Sequence, residues 1–197
     1  MPRLYFDYMP LYQNKYKTQS VRHKNWDYSQ DGYYFVTICT KDMQEFFGEI
    51  SDGEMNLFEI GKIANEYWQE IPKHFPFVKL HEYIVMPNHI HGIVEINKDE
   101  SDTHVRRDKA VPRLYAGKHP KMSKISPKPG SLSVIIGSFK SVVSKMVNQR
   151  HLNFQWQSSL YDRIIRDETA LGKIREYIER NPKFWDEDKN KVENIFY

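Results

Sequence analysis

The stretch from 78 to 96 constrains the fold most. Residues 78–86 and 89–96 are both rich in β-branched and aromatic types, and only Met86-Pro87-Asn88 connects them. A connection that short joins antiparallel strands, because a parallel pair needs a crossover of about a dozen residues or more. In the second strand, His89-Ile90-His91-Gly92-Ile93-Val94-Glu95-Ile96, alternation puts both imidazoles on one face with Ile93 and Glu95. Ile90, Val94 and Ile96 fall on the other face. That face is apolar and must be buried against something.

Two helices are legible as its cover. Ile60, Ile63, Ala64, Tyr67, Trp68 and Ile71 recur at helical spacing over 59–71, and Pro72 predicts the end of that helix. Ile135, Ile136, Phe139, Val142, Val143, Met146 and Val147 predict a second helix over 132–148. Residues 33–40 follow the Asp31-Gly32 turn signal and read as a strand, as do residues 160–166. Asp167, Glu168 and Thr169 open a third helix that runs to about 180 and is expected to stop at Pro182. The order βαββαβ plus one helix predicts a ferredoxin-like α+β domain, an antiparallel sheet with helices on one face and an appended C-terminal helix. The histidines are then expected on the face that the two covering helices leave open.

With 197 residues the chain is long enough for one substantial core. We expect an extension at 1–30, a single domain at 31–185 and a tail at 186–197. Residues 97–130 hold four prolines and no sustained periodicity, and read as a mobile basic loop inserted in the domain. A single cysteine, Cys39, excludes an internal disulfide framework and any multi-cysteine zinc or iron–sulfur site. The N-terminus lacks a basic-then-apolar signal pattern, and no run approaches the ~18 apolar residues of a membrane helix. A soluble, cytoplasmic protein with no membrane partner is expected.

The net charge of +3 hides an uneven distribution. Residues 100–150 carry eleven Lys or Arg against three Asp or Glu, whereas residues 31–99 carry five against twelve. A local excess of this kind fits contact with a polyanion, and a solvated basic loop explains it equally well. The candidate phosphate contacts are Lys140 and Lys145 on the second helix, with Arg106, Arg107, Lys121, Lys124 and Lys128 in the loop.

Two imidazoles at i, i+2 on a strand can share one divalent cation. On spacing alone, two hydrogen-bonded structural histidines are the commoner outcome. Glu95 stands where a cupin site would want it, but the glycine positions of that motif hold Tyr83 and Asp102 here. Glu95 is equally readable as an ordinary sheet carboxylate.

The text around the histidines adds more. Tyr34-Phe-Val-Thr-Ile-Cys-Thr40, Tyr83-Ile-Val-Met-Pro-Asn-His-Ile-His-Gly92, Gly130-Ser-Leu to Ser138-Phe-Lys-Ser141, Trp156-Gln to Tyr161-Asp-Arg-Ile-Ile-Arg166 and Tyr177-Ile-x-x-Asn-Pro182 occur in that order. Together, over about residues 33–185, they resemble the single-tyrosine HUH transposases, and more closely the REP-associated tyrosine transposases. The resemblance implies His89 and His91 as metal ligands and Tyr177 as the nucleophile on a C-terminal helix. In mobile-element relatives a glutamine four residues after the tyrosine completes the metal site. Asn181 stands there in this chain, on the same helical face but with a shorter reach.

The implied activity is a metal-dependent nicking and rejoining of single-stranded or hairpin DNA through a covalent 5′-phosphotyrosine, with Mg²⁺ or Mn²⁺ as cofactor. Mixed nitrogen and oxygen ligation favours Mn²⁺. A monomer or homodimer near the nucleoid is implied. Two other classes stay open: a DNA-binding module or regulator of the same fold without cleavage, and a hydrolase using water at the same metal. Tyr177 also lies at helical spacing from Ile174 and beside Ile178, where an aromatic is often packing. Tyr161 is the next candidate nucleophile, though its strand context suggests packing, and Lys173, one turn before Tyr177, could ease a phenolate or touch phosphate, with a solvated lysine the commoner reading.

Overall fold

The computed structural model describes residues 11–12, 16–17, 26–98 and 127–187. In chain order the elements are β1 (Leu11–Tyr12), β2 (Tyr16–Lys17), β3 (Gly32–Cys39), β4 (Gly48–Ser51), β5 (Glu54–Leu57), α1 (Glu59–Gln69), α2 (Ile71–His74), β6 (Val78–Val85) and β7 (His89–Ile96). They continue with α3 (Leu132–Gln149), β8 (Tyr161–Ile165) and α4 (Glu168–Arg180), extended by a 3₁₀ segment, Asn181–Glu187. Most of the basic insertion, with Arg106, Arg107, Lys121 and Lys124, lies outside the described residues.

The main sheet has the order β6-β7-β3-β8 with every pairing antiparallel. This is the strand order of the ferredoxin-like arrangement, with α1 and α3 as its two crossovers. β4 and β5 form a separate hairpin between β3 and α1. Its turn is Asp52-Gly53, both at positive φ (54° and 75°), the Asp-Gly signal of a tight hairpin that the sequence reading passed over.

Both α-helices end ahead of their prolines, as expected, but each is followed directly by a further short helical segment. α1 ends at Gln69, and Pro72 sits in the first turn of α2, where its missing N–H has no helical acceptor to lose. Likewise α4 ends at Arg180, just ahead of Pro182. Pro182 lies within the 3₁₀ segment that follows α4 directly.

The two sheet faces carry separate cores. Tyr34, Val36 and Ile38 of β3 and Ile90, Val94 and Ile96 of β7 pack with Ile63, Trp68, Ile135, Phe139 and Val143 from α1 and α3. On the opposite face, Ile93 and Ile165 pack with Leu171, Ile174 and Ile178 of α4. The sheet is therefore covered on both sides, which corrects the expectation of an open histidine face. The amphipathic stripe of α4 is what closes it.

Gly92 is where the first core presses hardest on the sheet. A Cβ there would lie 2.4 Å from Cζ2 of Trp68, a fully buried ring also packed edge-on against Phe139. Gly92→Ala therefore forces Trp68 out of its place, and we expect a loss of about 3 kcal/mol, read as a lowered urea midpoint at unchanged slope. Among the described residues no helix is long and apolar enough to cross a membrane.

Candidate active site

β7 delivers His89 and His91 to the face beneath α4, and both are almost wholly buried, at 0% and 2% exposure. Their rings stand edge to face with centroids 4.3 Å apart. Burial pushes the His89 imidazole down to about 3, so it is neutral at physiological pH. A neutral imidazole is the form that ligates a metal.

Hydrogen bonds orient both rings. The Asn88 amide donates from Nδ2 to the Met43 carbonyl at 3.1 Å, which turns Oδ1 toward His89. Nδ1 of His89 lies 2.7 Å from that oxygen and donates to it, so Nε2 carries the lone pair. Thr37 Oγ1 lies 2.9 Å from Nδ1 of His91 and holds the orientation of the second ring, its hydroxyl being able to serve either tautomer. Thr37 is the strand partner of His91 across β3 and β7. The sequence reading missed both orienting residues. The available signals were a polar residue in the inward phase of β3 and an asparagine abutting the first histidine.

Tyr177 comes to this pair from α4. Its hydroxyl is 3.2 Å from Nε2 of His91, and its ring is edge-on to both His91 and Phe35, at 5.2 and 6.2 Å between centroids. α4 is held in place at two points. Asp167 caps its start, accepting from the Ala170 N–H at 2.7 Å, and Arg175 donates to Glu82 on β6 at 2.9 Å. Arg175 also reaches His81 at 3.4 Å, and His81 in turn bonds Glu95 at 2.7 Å. Glu95 thus belongs to a cluster that ties α4 to the sheet and does not join the His89–His91 pair.

Asn181 terminates α4 and is buried, with Oδ1 lacking any hydrogen-bond partner among the described residues. Trp185 closes the same side, its ring centroid 6.1 Å from that of His89. No group of three His, Cys, Asp or Glu side chains among the described residues is placed to hold a metal. Should the histidines hold a cation, the Asn181 amide oxygen, buried and without a donor among the described residues, has the chemistry of a further ligand.

The other expected residues fall elsewhere. Tyr161 pairs with Thr37 on β8, so it shares the site's face two strands from His91. Lys173 is exposed on α4. Lys140 and Lys145 are on α3, across the sheet from Tyr177. Lys128 is engaged with Asp27 at 2.6 Å, and that ammonium holds the Asp27 carboxyl well below the usual carboxylate range.

No protein-family model matches the chain. A protein of Haemophilus influenzae (strain ATCC 51907 / DSM 11121 / KW20 / Rd), described as an uncharacterized protein, is 34% identical over 177 residues. The match covers 89% of this chain and 93% of that protein, and the chain belongs to its family. Among solved structures, the fold is similar to that of a REP-associated tyrosine transposase bound to a REP hairpin. That similarity has a TM-score of 0.48 and 14% identity, over 85% of this chain and 76% of the other. In the order of its sequence motifs the chain resembles the tyrosine transposases.

Proposed function

We propose that this protein is a metal-dependent single-strand DNA endonuclease and strand transferase of the tyrosine transposase type. The observation that carries the reading is the Tyr177 hydroxyl set 3.2 Å from the ring nitrogen of His91, in a histidine pair whose rings are oriented by Asn88 and Thr37. His89 and His91, with Asn181 as third donor, would hold Mg²⁺ or Mn²⁺. When bound, the cation supplies a Lewis acid for a phosphodiester oxygen.

The residues then have distinct tasks. Tyr177 attacks the phosphorus, an Oη–P bond forms, and the P–O3′ bond breaks with its electron pair on O3′. The phenol gives up one proton and the leaving oxygen gains one, so the products are a 5′-phosphotyrosine and a 3′-OH with no further reactant. Attack by a 3′-OH on the same link reverses the step, which permits strand transfer. Thr37 and Asn88 keep each imidazole turned with Nε2 inward. Nε2 of His91 cannot accept from the phenol and hold a cation at once, so Tyr177 must release that contact when the site is loaded.

The test is to incubate the full chain with labelled hairpin and single-stranded DNAs from the flanks of its own gene, with Mn²⁺ or Mg²⁺. A protein-linked fragment on a denaturing gel is expected. The burial of both imidazoles beneath Tyr177 and Trp185 favours one second reading, a DNA-binding module without cleavage. DNA binding with no adduct in either metal establishes that reading instead. If the pair does hold the cation, Asn88→Ala frees His89 to turn, and Mn²⁺ affinity by titration calorimetry is expected to fall about 10–100-fold.

A further inference from the structure

Across the sheet from Tyr177, α3 presents an unusual outer face. Its 18 residues include no Asp or Glu, and polar groups repeat on it at helical spacing as Lys140, Ser144, Lys145 and Asn148. Trp156 forms the other wall of a groove along this stripe. The groove is built, not merely exposed. Trp156 donates from Nε1 to the Lys140 carbonyl at 3.1 Å, and the Lys140 ammonium donates to the Gln157 carbonyl at 2.5 Å while lying 5.7 Å from the Trp156 ring centre.

Among the described residues its charge is uncompensated. No described carboxylate pairs with Lys140 or Lys145. Burial lowers the pKa of the Lys140 ammonium, and an anion brought alongside offsets that loss of hydration. Lysines with hydroxyl and amide donors suit phosphate and sugar oxygens, and an indole at the groove wall suits a base that is not stacked in a duplex.

The backbone ties this groove to the candidate active site. Thr40 bridges Trp156, Lys41 N–H donates to the Gln155 carbonyl, and Gln157 N–H donates to the Cys39 carbonyl. Cys39 is the strand partner of His89. Groove and histidines therefore occupy one end of the sheet on opposite faces. Two strand spacings and one layer separate them, about 10 Å each way.

We infer that this groove binds the backbone of single-stranded DNA a few nucleotides from the phosphate that Tyr177 attacks, with one base against Trp156, the strand rounding the β8 edge between the two. The inference rests on the proposed function for its choice of polyanion, but its test does not depend on cleavage. The Tyr177→Phe protein, which lacks the proposed nucleophile, is titrated with labelled oligodeoxythymidylate at several salt concentrations.

Adding Lys145→Ala is expected to weaken binding about fivefold and to lower the slope of log K against log salt by about 0.7. Lys62→Ala, which removes an exposed charge from α1, controls for net charge alone. Binding is expected to quench indole emission, and Trp156→Phe, which keeps a ring against Phe47, Phe139 and Phe154 but gives up the Nε1 bond, should remove most of that quench while the protein, somewhat less stable, still unfolds cooperatively. Equal effects of Lys145→Ala and Lys62→Ala, a quench that survives Trp156→Phe, or no binding at all overturns the groove assignment. Lys145-dependent binding without any adduct from the parent overturns the cleavage reading and leaves the groove standing.

Discussion

Tyr177→Phe should abolish the protein–DNA adduct, a fall of at least about 10³-fold in covalent product, because the Tyr177 hydroxyl is the α4 oxygen seen within reach of His91. The substitution removes one hydroxyl and its contact with His91. The ring keeps its packing against Phe35 and His91 and stays beside the Ile174 and Ile178 stripe. Stability should change by about 1 kcal/mol, the ordinary worth of one hydrogen bond, so lost product cannot be blamed on unfolding. The gel separates three outcomes. Product without an adduct means water is the nucleophile. An adduct that persists means another tyrosine, and Tyr161 is the first to test, since it lies on the same face beside Thr37. Loss of both product and adduct assigns the step to Tyr177.

How much of this was readable beforehand depended on how local each signal was. The hairpin at 78–96 and the helices over 59–69 and 132–149 follow from periodicity within a dozen or so residues, and they lie where the pattern placed them. The alternation of β7 correctly sorted His89 and His91 from Ile90, Val94 and Ile96. What escaped was decided by partners distant in sequence. The apolar stripe of α4 was visible, but that it lies over the histidines depends on contacts with Ile93 and Ile165, and on Arg175 reaching Glu82. The same holds for Thr37, which is an ordinary strand threonine until β7 is laid beside it. Both proline signals placed the α-helix ends correctly, at Gln69 and Arg180, but not the short helical segment after each, since proline forbids a helix interior and permits a first turn.

A second result with a large expected effect concerns His89 and needs no cleavage assay. A cation that binds the folded site stabilises it by mass action, about 2.7 kcal/mol at a concentration one hundred times its dissociation constant. For a domain of this size that is a rise of about 5–10 °C in the melting temperature with Mn²⁺. His89→Ala should remove the rise entirely, since one of two imidazole donors is gone and a single strand histidine binds weakly. The variant should also melt lower without metal, by about 2–3 kcal/mol, because a fully buried ring leaves a cavity and Asn88 Oδ1 loses its donor. Asn181→Ala separates the roles of the two kinds of ligand. Its amide oxygen has no hydrogen-bond partner to lose among the described residues, so the metal-free protein should melt close to the parent while the Mn²⁺ rise shrinks. A parent protein whose melting temperature moves with neither Mn²⁺ nor Mg²⁺ would make the histidine pair structural, held by Asn88 and Thr37 for packing alone, and would leave Tyr177 with no cation to work beside.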